Sequence, residues 1–174
     1  MRVSQIAALF AFIAALPCLA EPIRIDIGMD TGRNDTATPG WREWQVPNGA
    51  EAQREFDGVT VTLRSAEGGD LKGQWFKAGL STGATMATDG VVAPNIEIEL
   101  RGLERGTHSV VTYHNGFSKT PLSGATVSLD TKRVPVQPSA QVATNEGAES
   151  AYLEFEVTGD EPVIVRVAAD QNDA

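Results

Sequence analysis

"IEIELRGLERGTHSVVTYHNG", residues 96–116, is the stretch whose reading decides the fold. Ile96, Ile98 and Leu100 alternate with Glu97 and Glu99. A period of two marks a half-buried β-strand, because successive side chains point to opposite faces of a sheet. Arg105-Gly106 supplies a turn, and a second extended stretch, Val110 to His114, follows. In it Val110 and Thr112 are expected to face one way and Val111 and Tyr113 the other, with the polar end at Tyr113, His114 and Asn115 approaching a surface built from loops.

The same period recurs along the chain. Ile23, Ile25 and Ile27 alternate with Arg24 and Asp26, and Val59, Val61 and Leu63 with Thr60 and Thr62. Residues 125–129, 152–157 and 163–167 read as strands in the same way. Turn residues lie between them at Asp57-Gly58, Gly68-Gly69, Ser123-Gly124 and Gly159-Asp160. Residues 43–56 come closest to an amphipathic helix, but Pro47 and Gly49 break them. Seven or eight short strands with no helices between them argue against a βαβ fold. They predict an all-β, antiparallel two-sheet β-sandwich (jelly roll) of about eight strands, with little or no helix. Residues 28–55 and 77–95 are weakly patterned and read as long loops. Residues 130–149, rich in Pro, Ala and Gln, read as a surface excursion.

The first twenty residues read as a leader. Arg2 is a positive start, Ile6 through Leu16 is an apolar run too short to span a bilayer, and Cys18-Leu19-Ala20 puts small residues where a signal peptidase cuts. The expected organisation is a secretory signal peptide at 1–20 and a single domain at 21–174, secreted and extracellular, or periplasmic in a bacterium. Pro17 before Cys18 speaks against lipidation of that cysteine. Cys18 is the only cysteine, so the expected mature chain has neither thiol catalysis nor cysteine metal ligands. The 174-residue chain carries 14 Lys and Arg against 23 Asp and Glu, a net charge of −9. Such acidity repels nucleic acid and anionic membrane surfaces. No nucleic-acid partner and no membrane insertion of the mature chain are expected.

Few residues carry recognisable chemistry. "TPGWREWQ", residues 38–45, puts Trp41 and Trp44 three apart in a polar segment. Each indole is either a plug for the end of a sandwich or a platform for a ligand such as the C–H face of a sugar ring. Trp41, beside the Pro39-Gly40 turn, is expected to be the plug, and Trp44, between Glu43 and Gln45, the more exposed. Trp75 beside Phe76 is expected in the core. His114 and Asn115 suit hydrogen bonds to a sugar hydroxyl or to backbone, and His108 reads as a solvated strand start. The chain has neither G-x-S-x-G nor H-E-x-x-H. Glu97, Glu99, Glu154 and Glu156 alternate outward, so a carboxylate pair for glycoside chemistry stays open as an alternative. Asp26, Asp30 and Asp35 are candidate oxygen ligands, although "DTGRND" (30–35) lacks an EF-hand's closing glutamate. Asn34-Asp35-Thr36 is a glycosylation sequon.

"IRIDIG" followed by "TPGW", then "DGVTVTL", then the stretch at 96–116, resembles the galactose-binding-like β-jelly rolls, malectin-like and carbohydrate-binding modules among them. The resemblance covers residues 23–129, and its most specific part runs from Leu100 to Asn115. It implies a two-sheet jelly roll whose loops bind a polysaccharide or glycan, often beside a structural Ca²⁺, which is the one cofactor left open. Trp41, Trp44, Tyr113, His114 and Asn115 are the ligand-binding candidates. Such modules usually end on a strand that pairs with the first; here "VIVRV" (163–167) is either that strand or its replacement. The expectation is a free-standing, non-catalytic, monomeric glycan-binding domain. The alternatives are a small polysaccharide lyase or hydrolase on the same sandwich, with Glu97, Glu99, Arg101, Tyr113 and His114 lining one concave face, and an envelope adhesion or structural protein.

Overall fold

The computed structural model describes residues 21–29, 38–76, 87–119 and 123–170. The leader expected at 1–20 lies outside the described residues, as do Asp30, Asn34, Asp35 and Thr36. The described chain is all-β, with thirteen strands and one 3-10 turn at Asn145–Gly147. Among the described residues no helix is long and apolar enough to cross a membrane.

One layer is a fully antiparallel six-stranded sheet. It is built from β3 (Glu51–Phe56), β4 (Val59–Ser65), β7 (Asn95–Arg101), β9 (Ala125–Leu129), β10 (Lys132–Val136) and β13 (Val163–Ala169), in the order β10-β9-β13-β7-β4-β3. Its inner face carries the alternating apolar residues read from sequence, and two groups of strands cover it. The pair β8 (Gly106–Gly116) and β12 (Glu149–Val157), with β11 (Ser139–Ala140) beside β8, closes one half. There Leu153, Phe155 and Val157 pack on Val127, Leu129 and Val165. The ribbons β1 (Ile25–Met29) with β2 (Arg42–Val46) and β5 (Lys72–Trp75) with β6 (Asp89–Val92) close the other half. There Trp44, Val46 and Leu71 pack on Phe56, Val61 and Leu63. Ile98 and Leu100 of β7 touch both clusters, so β7 is the seam. Each large apolar side chain buried in these clusters contributes roughly 1.5–3 kcal/mol.

Two glycines show local chemistry setting the frame. The β3–β4 hairpin turns on Asp57 and Gly58, both with left-handed φ (51° and 83°), as an Asp-Gly two-residue hairpin requires. Gly102, at φ 86°, lies so close to the Gly58 carbonyl that no Cβ fits between them. That contact seats the β7–β8 link on the β3–β4 turn.

The structure departs from expectation in several places. Residues 28–55 are not one loop but hold β2 and β3, residues 77–95 hold β6, and 130–149 hold β10 and β11. β3 is hard to read from sequence because only Ala52 and Phe56 are apolar on its inner face, while Arg54, between them, lies over the Phe56 ring at 5.2 Å. β1 and β2 pair in parallel, as do β11 and β8, so the antiparallel rule holds for the large sheet and not throughout. "VIVRV" begins β13, between β7 and β9, and does not pair with the first strand.

Candidate functional site

The five sequence candidates separate into three that are built into the fold and two that meet on its surface. Trp44 is 4% exposed, sits opposite Ile27 on β1 and stacks edge-on against Phe56 at 5.7 Å. It is the plug, and Trp41 is not; the expected roles are reversed. Period-two geometry is the reason: with Val46 buried, Trp44 must point the same way, into the core. Asn115 is a clamp. Its amide nitrogen donates to the carbonyls of Ala87 (2.6 Å) and Val142 (2.9 Å), and its oxygen accepts from the Val142 amide. His114 shares the inward side of β8 with Thr112, whose hydroxyl lies 2.8 Å from Nε2, and burial pushes its imidazole down to about 4. It is therefore neutral across the physiological range. His108, expected in solvent, is half-buried against the Phe155 ring, with Nε2 2.7 Å from the Glu104 carbonyl.

Trp41 and Tyr113 come together on the outer side of the β8–β12 ribbon, ring centroids 6.0 Å apart and edge to face. The alternation expected of β8 holds: Val110 and Thr112 are half-buried, while Val111 and Tyr113 point out. β12 does the same, with Ala151, Leu153, Phe155 and Val157 inward and Ser150, Tyr152, Glu154 and Glu156 outward. Register puts Tyr152 opposite Val111 and Ser150 opposite Tyr113, so the two tyrosines are diagonal neighbours. Tyr152 (57% exposed), Val111 (46%) and Tyr113 (41%) are three of the four large hydrophobic residues the described fold leaves exposed. Together with Trp41 they make one contiguous apolar and aromatic strip. Sequence reasoning missed Tyr152, although its phase was readable: Leu153, Phe155 and Val157 claim the inward positions, leaving Tyr152 outside. The fourth, Trp75, is 49% exposed on β5 and not in the core as expected.

The turn that presents Trp41 is held from below. The Trp41 amide donates to the Thr38 carbonyl at 3.0 Å, and the Thr38 amide donates to Asp26 Oδ2 at 2.7 Å. Asp26 is 1% exposed, and its other oxygen has no partner. Asp89, 7% exposed, is in the same position: its Oδ1 has no partner, and its Oδ2 lies over Gly28, where a Cβ would come within 2.6 Å. Burial, then the charges of Asp26 and Glu43, push the Asp89 carboxyl up to about 7, and burial also raises Asp26. Both carboxyls are buried. Of the candidate oxygen ligands Asp26, Asp30 and Asp35, only Asp26 is among the described residues, and no group of three His, Cys, Asp or Glu suited to a metal ion gathers among those residues.

The other outer surface is of a different kind. On the six-stranded sheet Glu99, at β7, lies between Arg64 (2.6 Å) and Arg101 (2.5 Å), and Glu97 receives Arg166 at 2.7 Å. The hydrogen bond from Arg101, with both guanidinium charges, holds the Glu99 carboxyl below its ordinary range. Glu97, Glu99 and Arg101 thus occupy this face, while Tyr113 points outward from the ribbon in the other layer and His114 faces its interior. The single concave face that would line all five does not form.

Comparison of the chain with protein-family models, curated proteins and solved structures yields no match.

Proposed function

We propose that this protein is a secreted, non-catalytic carbohydrate-binding domain of the jelly-roll, galactose-binding-like kind, which holds an extracellular polysaccharide against the outer side of β8 and β12. The observation that carries the reading is the strip formed by Tyr113, Val111 and Tyr152, left bare on a sheet face where alternation would normally supply polar residues, with half-buried Trp41 against Tyr113. Sugar rings present C–H faces that stack on aromatic side chains, and the hydroxyls of Tyr113, Tyr152, Ser150 and Ser109 are at hand for the ring hydroxyls. A strip that runs along two paired strands favours a polymer laid along it over a small ligand enclosed in a cavity. Affinity per site is expected to be weak, with Kd of order 10 µM to 1 mM, because a small contact leaves little surplus over ordering costs. For the hydrolase or lyase alternative, Glu97, Glu99 and Arg101 lie in a different layer from Tyr113 and His114, which leaves it only Glu154 and Glu156 beside the aromatic strip.

Affinity electrophoresis and pull-down on a panel of insoluble and soluble polysaccharides test the reading. Retention is expected for the wild type, with loss in Tyr113→Ala and Tyr152→Ala while both variants stay folded. Retention by neither the wild type nor any variant would remove the proposal. Binding that persists unchanged in both variants would move the site away from this strip.

A further inference from the structure

The strip is not chemically uniform along its length, and this points to the class of sugar it takes; the inference rests on the glycan-binding reading above. Tyr113, Val111 and Tyr152 occupy one end. Toward the other end the outward positions of β12 are Glu154 and Glu156, opposite Ser109 and Thr107 of β8. None of the outward positions of β8 and β12 from Thr107 to Tyr113 and from Ser150 to Glu156 is a lysine or arginine. Lys132 reaches the ribbon from β10, but its ammonium is bonded to the Glu154 carbonyl. The Glu156 carboxylate accepts the Thr107 hydroxyl at 2.8 Å, and Glu154 Oε2 lies 3.5 Å from the Tyr152 hydroxyl, which sets a carboxylate directly beside the aromatic end. The stretch of β8 from Thr107 to Tyr113 spans about 20 Å of strand, long enough for several sugar rings in a row.

We propose that this face selects a polysaccharide carrying free amines, a glucosamine-type polymer whose pyranose rings stack on Tyr113 and Tyr152 while its ammonium groups meet Glu154 and Glu156. A uronate or sulfated polymer brings like charge to both carboxylates and to a chain of net charge −9. A neutral polymer stacks equally well but leaves those carboxylates only hydroxyls to bind. An ammonium makes charge-assisted hydrogen bonds with them, and the acidic field of the whole chain raises its local concentration.

The test uses one backbone in two states, the N-acetylated and the deacetylated glucosamine polymer, at a pH below the pKa of its amines, with a polyuronate as third arm. Two exposed charge contacts of ordinary strength predict roughly tenfold tighter binding to the deacetylated polymer at low salt. The advantage is expected to vanish in high salt and in the double variant Glu154→Gln/Glu156→Gln, which should bind the two polymers equally. Tyr152→Ala should bind neither; if it keeps wild-type affinity for the amine polymer, the attraction is bulk charge and the inference is overturned. Equal wild-type binding to both states, or preference for the polyuronate, also overturns it while leaving the glycan-binding reading intact. Binding to no polymer removes that reading itself.

Discussion

The two outer faces of this molecule are built by the same rule and filled differently. On β4, β7 and β13 the outer positions carry a ladder of charges, Arg64 and Arg101 on Glu99 and Arg166 on Glu97, beside Thr60, Thr62, Ile164 and Ala168. On β8 and β12 the equivalent positions hold Val111, Tyr113 and Tyr152, with acids only toward one end. A face of paired charges needs no function to explain it; it keeps a sheet soluble and its surface neutral. A face of bare aromatics is unfavourable in water, and contiguous apolar patches on soluble proteins mark places where something binds. The difference teaches that the side chains to ask about are those that break a sheet's alternation on the solvent side, however ordinary the residue type.

If exposure and not aromaticity separates scaffold from site, Trp44→Ala should be the most damaging of the single substitutions that test the contrast. It removes a buried indole and leaves a cavity, and is expected to lower stability by roughly 3–5 kcal/mol. Denaturant midpoints measure this, and a loss below about 1 kcal/mol would mean that Trp44 does not seat β2 on the core.

The buried acids come next. Asp89 has a folded-state pKa of about 7 against an ordinary 3.8. Its raised value means the native state holds the proton longer than the unfolded chain. Stability from this group is complete below about pH 4 and is lost as pH rises through 7, by up to about 1.4 kcal/mol per pH unit in that window. Thermal unfolding followed from pH 4 to 8 should show wild type losing ground to Asp89→Asn as pH rises. His114 works in the opposite sense: its folded pKa of about 4 lies below the ordinary 6.5, so its stabilising effect is lost as pH falls from 6.5 toward 4. A His114→Gln variant should therefore be the less acid-sensitive protein.

Smaller effects sharpen the contrast between the faces. A double-mutant cycle on Glu97 and Arg166 should give a coupling of about 0.2–1 kcal/mol that shrinks with salt, as exposed pairs do. Tyr152→Ala should change stability by less than about 0.5 kcal/mol. If Tyr152→Ala were as destabilising as Trp44→Ala, the strip would be structure and the comparison would collapse.

Much of the fold is legible in the sequence where alternation is clean. β4, β7, β8, β12 and β13 all come from runs in which apolar residues keep step along the pleat, and the Asp57-Gly58 hairpin declares itself chemically. β5 and β6 are not legible, because "KGQW" and "DGVV" are too short to show a period. Within the site, Trp41 and Tyr113 stand out in the sequence, but Trp41 and Trp44 exchange roles. Local flanking residues suggest exposure for Trp44, whereas its place two residues before buried Val46 on β2 turns it into the core. His114 and Asn115 look like ligand groups because they are polar at a strand end. Only the approach of residues 87 and 142, far along the chain, shows that Asn115 is satisfied internally. The acid pair is invisible for the same reason: nothing in a sequence brings Asp26 next to Asp89.

The place of β13 in the middle of the large sheet has a consequence for when this protein can become itself. β7 and β9 are each joined along one side to β13, and Val165, with no exposed surface, lies at the heart of their shared core. A ribosome delivers residues 95–129 well before residues 163–169. Until those arrive, β7 and β9 present open backbone edges and unburied Ile, Leu and Val, the condition in which chains stick to one another. Assembly therefore has to be a late event, in which one strand slots between two that wait for it. Such nonlocal closure is slow, in the range of milliseconds to seconds for sandwich topologies. Before that strand arrives the six-stranded sheet can exist only as two separate parts, β10-β9 and β7-β4-β3.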